Sequence, residues 1–161
     1  MNRNKKSVAP APPAHYWQAW FDGAALPNPG RVGIGMVLIS PTGERQERAL
    51  LPMTWGCSNE AELHALCAVL RWAHELGARH LWVRGDSSFA VGQVGGREAT
   101  AIRRLLELVD CGKEWCHRFE DVQLVWVPRH RNGDADRLSR HALGLPEKPA
   151  AIPGGRKRRR R

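Results

Sequence analysis

Apolar and polar positions change period along the chain, and the changes divide it into strands and helices. Three short apolar runs come first: HYWQAWFD (15–22), VGIGMVLIS (32–40) and ERQERALLP (44–52). The turn signals GAALPNPG and PTG separate them, which predicts an antiparallel meander. From Asn59 the period lengthens, with Leu63, Leu66, Cys67 and Leu70 at helical spacing and Gly77 to close the helix. HLWVRG (80–85) then reads as a short buried strand. SSFAVGQV and TAIRRLLELVDCGKEWCHRF supply two helical stretches, VQLVWVP (122–128) another buried strand, and ADRLSRHAL a last helix. The predicted order is βββαβααβα, an α/β fold with a five-stranded mixed sheet flanked by helices.

This order fixes where side chains of the loops and strand ends gather. A meander that starts upward sends its third strand up, so the first helix starts at the top and runs down. Strands four and five, each reached through helical connections, run upward as well. Asp22 ends the first predicted strand, Asp86 follows the fourth, and Glu62 and Asp136 lie near the starts of the first and last helices. All four carboxylates are therefore expected at the carboxyl ends of the strands, where open α/β sheets place their functional crevice.

Composition bounds the rest. With 161 residues, 42% hydrophobic and 25% charged, the chain suffices for one domain with its own core. No apolar run reaches the roughly 18 to 20 residues of a membrane span, and the N-terminus lacks the apolar core of a secretory signal. The expectation is a cytoplasmic protein without membrane contact, nucleoid-associated in a prokaryote, the nucleus remaining an alternative. The net charge of +9 is concentrated: Arg3, Lys5 and Lys6 carry three positives and RKRRRR at 156–161 carries six. Residues 15–155 are therefore neutral. Aperiodic Pro-, Ala- and Lys-rich sequence marks residues 1–14 and 145–161 as disordered basic tails around a folded unit at 15–144. Such tails are expected to contact phosphates without reading sequence. Cys57, Cys67, Cys111 and Cys116 contain no CxxC pair and read as reduced thiols. The alternative is a zinc site around Cys111, Cys116 and His117.

Taken singly, each acid has an ordinary explanation. Asp22-Gly23 is a turn dipeptide, Asn59-x-x-Glu62 fits a capping box, Asp86 suits an N-cap, and Asp136 favours a helix N-terminus. Together they read differently. Four carboxylates in one place repel one another unless cations neutralise them, and an all-oxygen set suits Mg²⁺ or Mn²⁺. A pair of such ions is suited to phosphodiester cleavage.

FDGAALPNPGRVGIGMVL, SNEAELHAL, VRGDSSFAVGQVGG and VPRHRNGDADRLS resemble, in this order, the motifs of type-one ribonuclease H, and the resemblance runs from Tyr16 to Leu143. It implies an endonuclease that cuts the RNA strand of RNA-DNA hybrids with two Mg²⁺ or Mn²⁺ ions, leaving 3′-hydroxyl and 5′-phosphate ends. It also implies that Asp22, Glu62, Asp86 and Asp136 are catalytic metal ligands. Asn28, Asn59 and Ser88 match family positions that contact the hybrid, and Arg129 and Arg131 are candidates to hold phosphates. His130 lies only six residues before Asp136. The short VPRHRNGDAD segment resembles the compact branch of the family, with His130 an auxiliary catalytic candidate. Arg103, Arg104 and Lys113 are interleaved with acids and form no strong basic handle. Among the tryptophans, Trp55 is the candidate for substrate contact, the others being expected in the core. A monomer is expected. Two alternatives stay open: a non-catalytic nucleic-acid-binding protein of this fold, and a nuclease of this fold acting on another nucleic acid.

Overall fold

The computed structural model describes residues 10–146. The basic residues of both predicted tails, Arg3, Lys5, Lys6 and 156–161, lie outside the described residues. The elements in chain order are β1 (Trp17–Leu26), β2 (Gly30–Ile39), β3 (Arg45–Leu50), β4 (Trp55–Gly56), α1 (Ser58–Glu75), β5 (His80–Gly85), α2 (Ser88–Val94), α3 (Arg103–His117), β6 (Asp121–Trp126) and α4 (Gly133–Ala142). A single 3₁₀ turn at Arg129–Arg131 leads into α4.

The sheet runs β3-β2-β1-β5-β6. β1, β2 and β3 pair antiparallel, as the meander predicted, and β1-β5 and β5-β6 pair parallel. The two-residue β4 adds a sixth strand beside the start of β2. The central strands carry the buried residues, and the side of β1, β2 and β5 that presents Ala19, Phe21, Met36, Leu81 and Val83 packs on α1. The apolar stripe of α1, through Leu63, Leu66, Val69, Leu70 and Ala73, completes that core. Leu105 and Val109 of α3 extend it. α4 covers the opposite side, on β1, β2 and β3.

The first strand is longer than predicted. GAAL does not turn but continues β1 to Leu26, and only Pro27, Asn28 and Pro29 form the turn. Small residues are accepted there because helices press on the sheet from both sides. A Cβ at Gly23 would lie 2.1 Å from the Ala61 carbonyl oxygen of α1, and a Cβ at Gly35 would lie 2.0 Å from the Ala135 carbonyl oxygen of α4. These two glycines let the N-terminal turns of α1 and α4 seat on the sheet.

Residues 10–14, expected in the N-terminal tail, precede β1 against the sheet. The Pro13 carbonyl accepts the Tyr16 N–H at 3.0 Å, and Pro10, Ala11 and Pro12 line a cavity with Trp20, Trp82 and Trp126. No described helix is long and apolar enough to cross a membrane.

The two close contacts predict unequal responses to the same added methyl group. Gly35→Ala should destabilise by at least about 2 kcal/mol, because the helix backbone must move to admit it. Gly133→Ala, where a Cβ meets nothing within 4 Å, should be neutral or stabilising by about 0.5 kcal/mol. Urea denaturation of the two variants tests this; equal midpoints would refute the packing argument.

Candidate active site

Asp22 lies inside β1, opposite Gly35 of β2. It does not end the strand, as the sequence suggested, but the parallel pairing with β5 stops two residues earlier, at Trp20 and Arg84. β5 then ends at Gly85, and Asp86 follows. The carboxyl end of β5 thus leaves open the side of β1 beside Asp22. Ligand oxygens of Asp22, Glu62 and Asp86 all lie within 4.8 Å of one another, the one such group of potential metal ligands among the described residues.

Local structure frees these acids from the capping roles open to them in sequence. The N-cap of α1 is Cys57, and the Glu60 carboxylate accepts the Cys57 backbone N–H at 3.2 Å, so the capping box belongs to Cys57 and Glu60. Glu62 therefore faces β1, where it accepts the Gly23 N–H at 3.3 Å. Ser87, not Asp86, caps α2, its hydroxyl accepting the Ala90 N–H at 3.0 Å. Asp136 sits in the first turn of α4, half-buried and outside the 4.8 Å group, yet its charge acts on both Asp22 and Asp86.

Burial and mutual repulsion raise the proton affinity of this cluster. Burial drives Asp22 up to about 7, with the charges of Asp86 and Asp136 adding to the rise and a hydrogen bond from Ser139 opposing it. Glu62 is pushed up to about 10, first by burial and then by Asp22 and Asp86. Asp86 is raised by burial, with Asp136 adding and the Arg129 guanidinium opposing. Three acids that resist ionisation side by side form a hard-oxygen donor set, and it fits a divalent cation that would let them ionise together.

Three supporting residues were not singled out from the sequence. The buried Ser139 hydroxyl donates to Asp22 Oδ2 at 2.6 Å. Asn132, also buried, donates through Nδ2 to the Phe21 carbonyl at 2.9 Å and ties the start of α4 to β1. Trp126 Nε1 donates to the Asp86 backbone carbonyl at 3.1 Å, and its ring is 52% exposed rather than in the core. Ser139 had a usable signal: it falls in the apolar stripe of α4 with Ala135 and Leu138, where a polar residue needs a partner.

The other predicted site residues line the surroundings. Asn28, exposed in the β1-β2 turn, accepts the Ser58 N–H at 3.0 Å through Oδ1 and so holds that turn to the start of α1. Asn59 and Ser88 are exposed in the first turns of α1 and α2. Arg129 reaches to 3.9 Å of Asp86 Oδ2, and His130 and Arg131 are exposed on the same turn. Trp55 is 69% exposed in β4. Arg104 is engaged by Glu60 at 3.0 Å. The four cysteines are free, with Cys67, Cys111 and Cys116 along the contact of α1 with α3 and the thiols of Cys67 and Cys116 raised by burial, the latter to about 11.

A five-stranded mixed sheet of this order, with acids from β1, α1 and the end of β5 converging at one edge, is the ribonuclease H-like architecture. Residues 20–142 match the family described as reverse transcriptase-like, and the chain belongs to that family, in its type-one ribonuclease H group. It is 34% identical over 125 residues to Ribonuclease HI of Halobacterium salinarum, a match spanning 78% of this chain and 63% of that protein. The crystal structure of RNase H1 from that archaeon superposes with a TM-score of 0.73 at 32% identity, covering 80% of this chain and 98% of that one. The N-terminal RNase H domain of a bifunctional Mycobacterium tuberculosis protein gives 0.71 at 31% identity, covering 80% and 94%. An RNase H1 from compost, crystallised with an RNA/DNA hybrid, gives 0.69 at 25% identity, covering 80% and 96%.

The raised proton affinities set the sign of a pH effect. An acid whose pKa is higher folded than unfolded holds its proton in the native state after the unfolded chain has released it. Its stabilising contribution is complete below the ordinary carboxylate range and is lost as pH rises through the folded value. Metal-free protein should therefore lose stability from about pH 4 through 7 and, for Glu62, up to about 10. Asp22→Asn should flatten that decline and raise stability at pH 8 by on the order of 2 kcal/mol. Urea midpoints measured in EDTA across this range provide the check, and identical pH slopes for variant and wild type would contradict it.

Proposed function

We propose that this chain is a metal-dependent endoribonuclease that hydrolyses the RNA strand of RNA-DNA hybrids and leaves 3′-hydroxyl and 5′-phosphate ends. The observation that carries this reading is the convergence of Asp22, Glu62 and Asp86 within 4.8 Å. The hybrid bound to the compost RNase H1 supports the choice of substrate.

Asp22, Glu62 and Asp86, joined by Asp136 from α4, are the residues we assign to holding the metal. Two Mg²⁺ or Mn²⁺ ions bound there would supply Lewis-acid chemistry, lowering the pKa of water and neutralising charge at the leaving oxygen. The protein's part is to keep the carboxylates positioned before substrate arrives. Ser139 orients Asp22, and the Gly23 N–H orients Glu62. Arg129, beside Asp86 yet largely exposed, is suited to receive a phosphate next to the reacting one. Because Asn28 Oδ1 is occupied by the Ser58 N–H, the group that Asn28 offers a ribose 2′-hydroxyl is its amide NH₂. Asn59 and Ser88 extend that polar edge along the helix starts. His130 is assigned an auxiliary part in proton transfer or product release. The protein acts as a monomer in the cytoplasm, and its basic tails add contacts to phosphate that read no sequence.

Labelled hybrid, duplex RNA, duplex DNA and single strands incubated with Mg²⁺, Mn²⁺ or EDTA test the activity and its selectivity. Hybrid alone should be cut, and only with metal. Asp22→Asn or Asp86→Asn should abolish cleavage with the fold retained, and near-wild-type rates in either would refute the metal assignment. His130→Ala should cost about 10- to 100-fold, the scale of acid-base assistance. Removal of residues 156–161 should raise KM and flatten the salt dependence of binding, the log–log slope falling by about 0.9 for every phosphate that is no longer neutralised. Hybrid and duplex DNA should be affected alike, and kcat should be preserved. An unchanged slope would remove the tail from substrate binding.

A further inference from the structure

On the side of the sheet that α1 covers, a cavity of about 420 Å³ lies between α1, α3 and the outer strand β3. Cys67, Arg71 and Trp72 line it from α1, Cys111 and Trp115 from α3, and Arg48 from β3. Arg48 and Arg71 are exposed, so the cavity is open to water. The reaction proposed above uses none of these residues.

Helix packing sets two thiols side by side in that wall. The Cys67 Sγ donates to the Leu108 carbonyl at 3.5 Å, and a Cβ on Gly112 would lie 3.7 Å from the same sulfur. Leu108, Cys111 and Gly112 share one face of α3 by their helical spacing, so Cys67 rests on the face that carries the Cys111 thiol. Burial holds the Cys67 thiol above its ordinary range, and Cys111 adds to the rise as a neighbouring charge and hydrogen-bond partner. The other two cysteines are placed differently. Cys116 lines a separate cavity with Val91, Val94 and Val122, and Cys57 stands at the start of α1.

We propose that Cys67 and Cys111 are a modification site, at which a hydroperoxide entering this cavity oxidises the two thiols to a disulfide that staples α1 to α3. The Cys111 sulfur attacks one peroxide oxygen and the O–O bond breaks. The other oxygen departs with the thiol proton, as an alcohol or, from hydrogen peroxide, as water, and Cys111 becomes a sulfenic acid. The Cys67 sulfur then attacks the Cys111 sulfur, the S–O bond breaks, and hydroxide leaves as water with the Cys67 proton. Two thiols lose two electrons and the peroxide gains them. Cys111 reacts first because Cys67 is pressed against Leu108 and held protonated, whereas the attacking form is the thiolate. Arg48 and Arg71 add positive charge to the cavity wall, which favours that form. The staple closes a loop that contains β5, Asp86 and α2, so it narrows the unfolded ensemble and offsets part of the cost of the acid cluster. None of this rests on the ribonuclease reading.

The test treats the reduced full chain with hydrogen peroxide and maps its peptides by mass. A linked pair of peptides through Cys67 and Cys111 should appear, two hydrogens lighter than the reduced pair, and dithiothreitol should reverse it. Cys57→Ala and Cys116→Ala should form the same link. In Cys67→Ala, dimedone, which traps sulfenic acids, should label Cys111, whereas Cys111→Ala should leave Cys67 unlabelled. Urea denaturation in EDTA should show an unfolding constant lower by about tenfold or more in the oxidised full chain than in the reduced one, with no such change in Cys111→Ala. Absence of the link, or a link through Cys116 in its place, would refute the pair. Dimedone on Cys67 in place of Cys111 would refute the order of attack, and equal stability of oxidised and reduced protein would refute the staple. The map of the unsubstituted chain decides the pairing by itself, whether or not a variant folds.

Discussion

Asp22 has been taken almost wholly out of water, and two more carboxylates stand within 4.8 Å of it. Such an arrangement opposes folding, because each acid either keeps its proton or repels its neighbours. What maintains it is packing from both sides of the sheet. Gly23 and Gly35 admit α1 and α4 to backbone contact, and those helices deliver Glu62 on one side and Ser139 and Asp136 on the other. The core beneath α1 is the counterweight, with Phe21, Leu63, Leu66, Leu70 and Leu81 sealed from solvent. Stability is concentrated under the site so that the site itself can be unfavourable without metal.

Much of this was legible in the sequence, for a physical reason. Period two against period 3.6 separates strands from helices, and element order then fixes which ends share an edge of the sheet, so the fold and the meeting of Asp22, Glu62 and Asp86 followed from local pattern. What escaped depends on contacts between distant residues. GAAL continues β1 because Gly33 and Val32 pair with Ala24 and Ala25, although by itself the stretch reads as a turn. The cap of α1 went to Cys57 with Glu60, and that of α2 to Ser87, each one or two positions from the expected residue. Such a shift is small in sequence but decides whether an acid caps a helix or faces a cleft. Trp126 looked like core by strand pattern, yet it lies on an edge strand and spends its indole N–H on the Asp86 carbonyl.

Charge is distributed unevenly over the described surface. Arg45 and Arg137 bridge Glu47 and Asp134, Arg71 pairs with Glu75, Arg79 with Glu120 and Arg104 with Glu60. These cations are engaged within the fold, and at exposed positions each pair adds little stability. Arg129 and Arg131 are differently placed, exposed on the one turn that joins β6 to α4 above the acids. Exposed positive charge is thereby placed beside the carboxylates, with Arg129 3.9 Å from Asp86.

The same ion pairs have a second effect at the rim of the sheet. β3 is an outer strand, bonded to β2 on one side only, and its Arg45, Glu47 and Arg48 side chains are exposed while Arg45 and Glu47 reach across to α4. β6, the other outer strand, begins with Asp121 and carries Gln123. An incoming strand from a neighbouring molecule would have to break the charge network at one rim or bury an acid at the other before it could form a backbone ladder. A molecule bordered in this way resists edge-to-edge polymerisation.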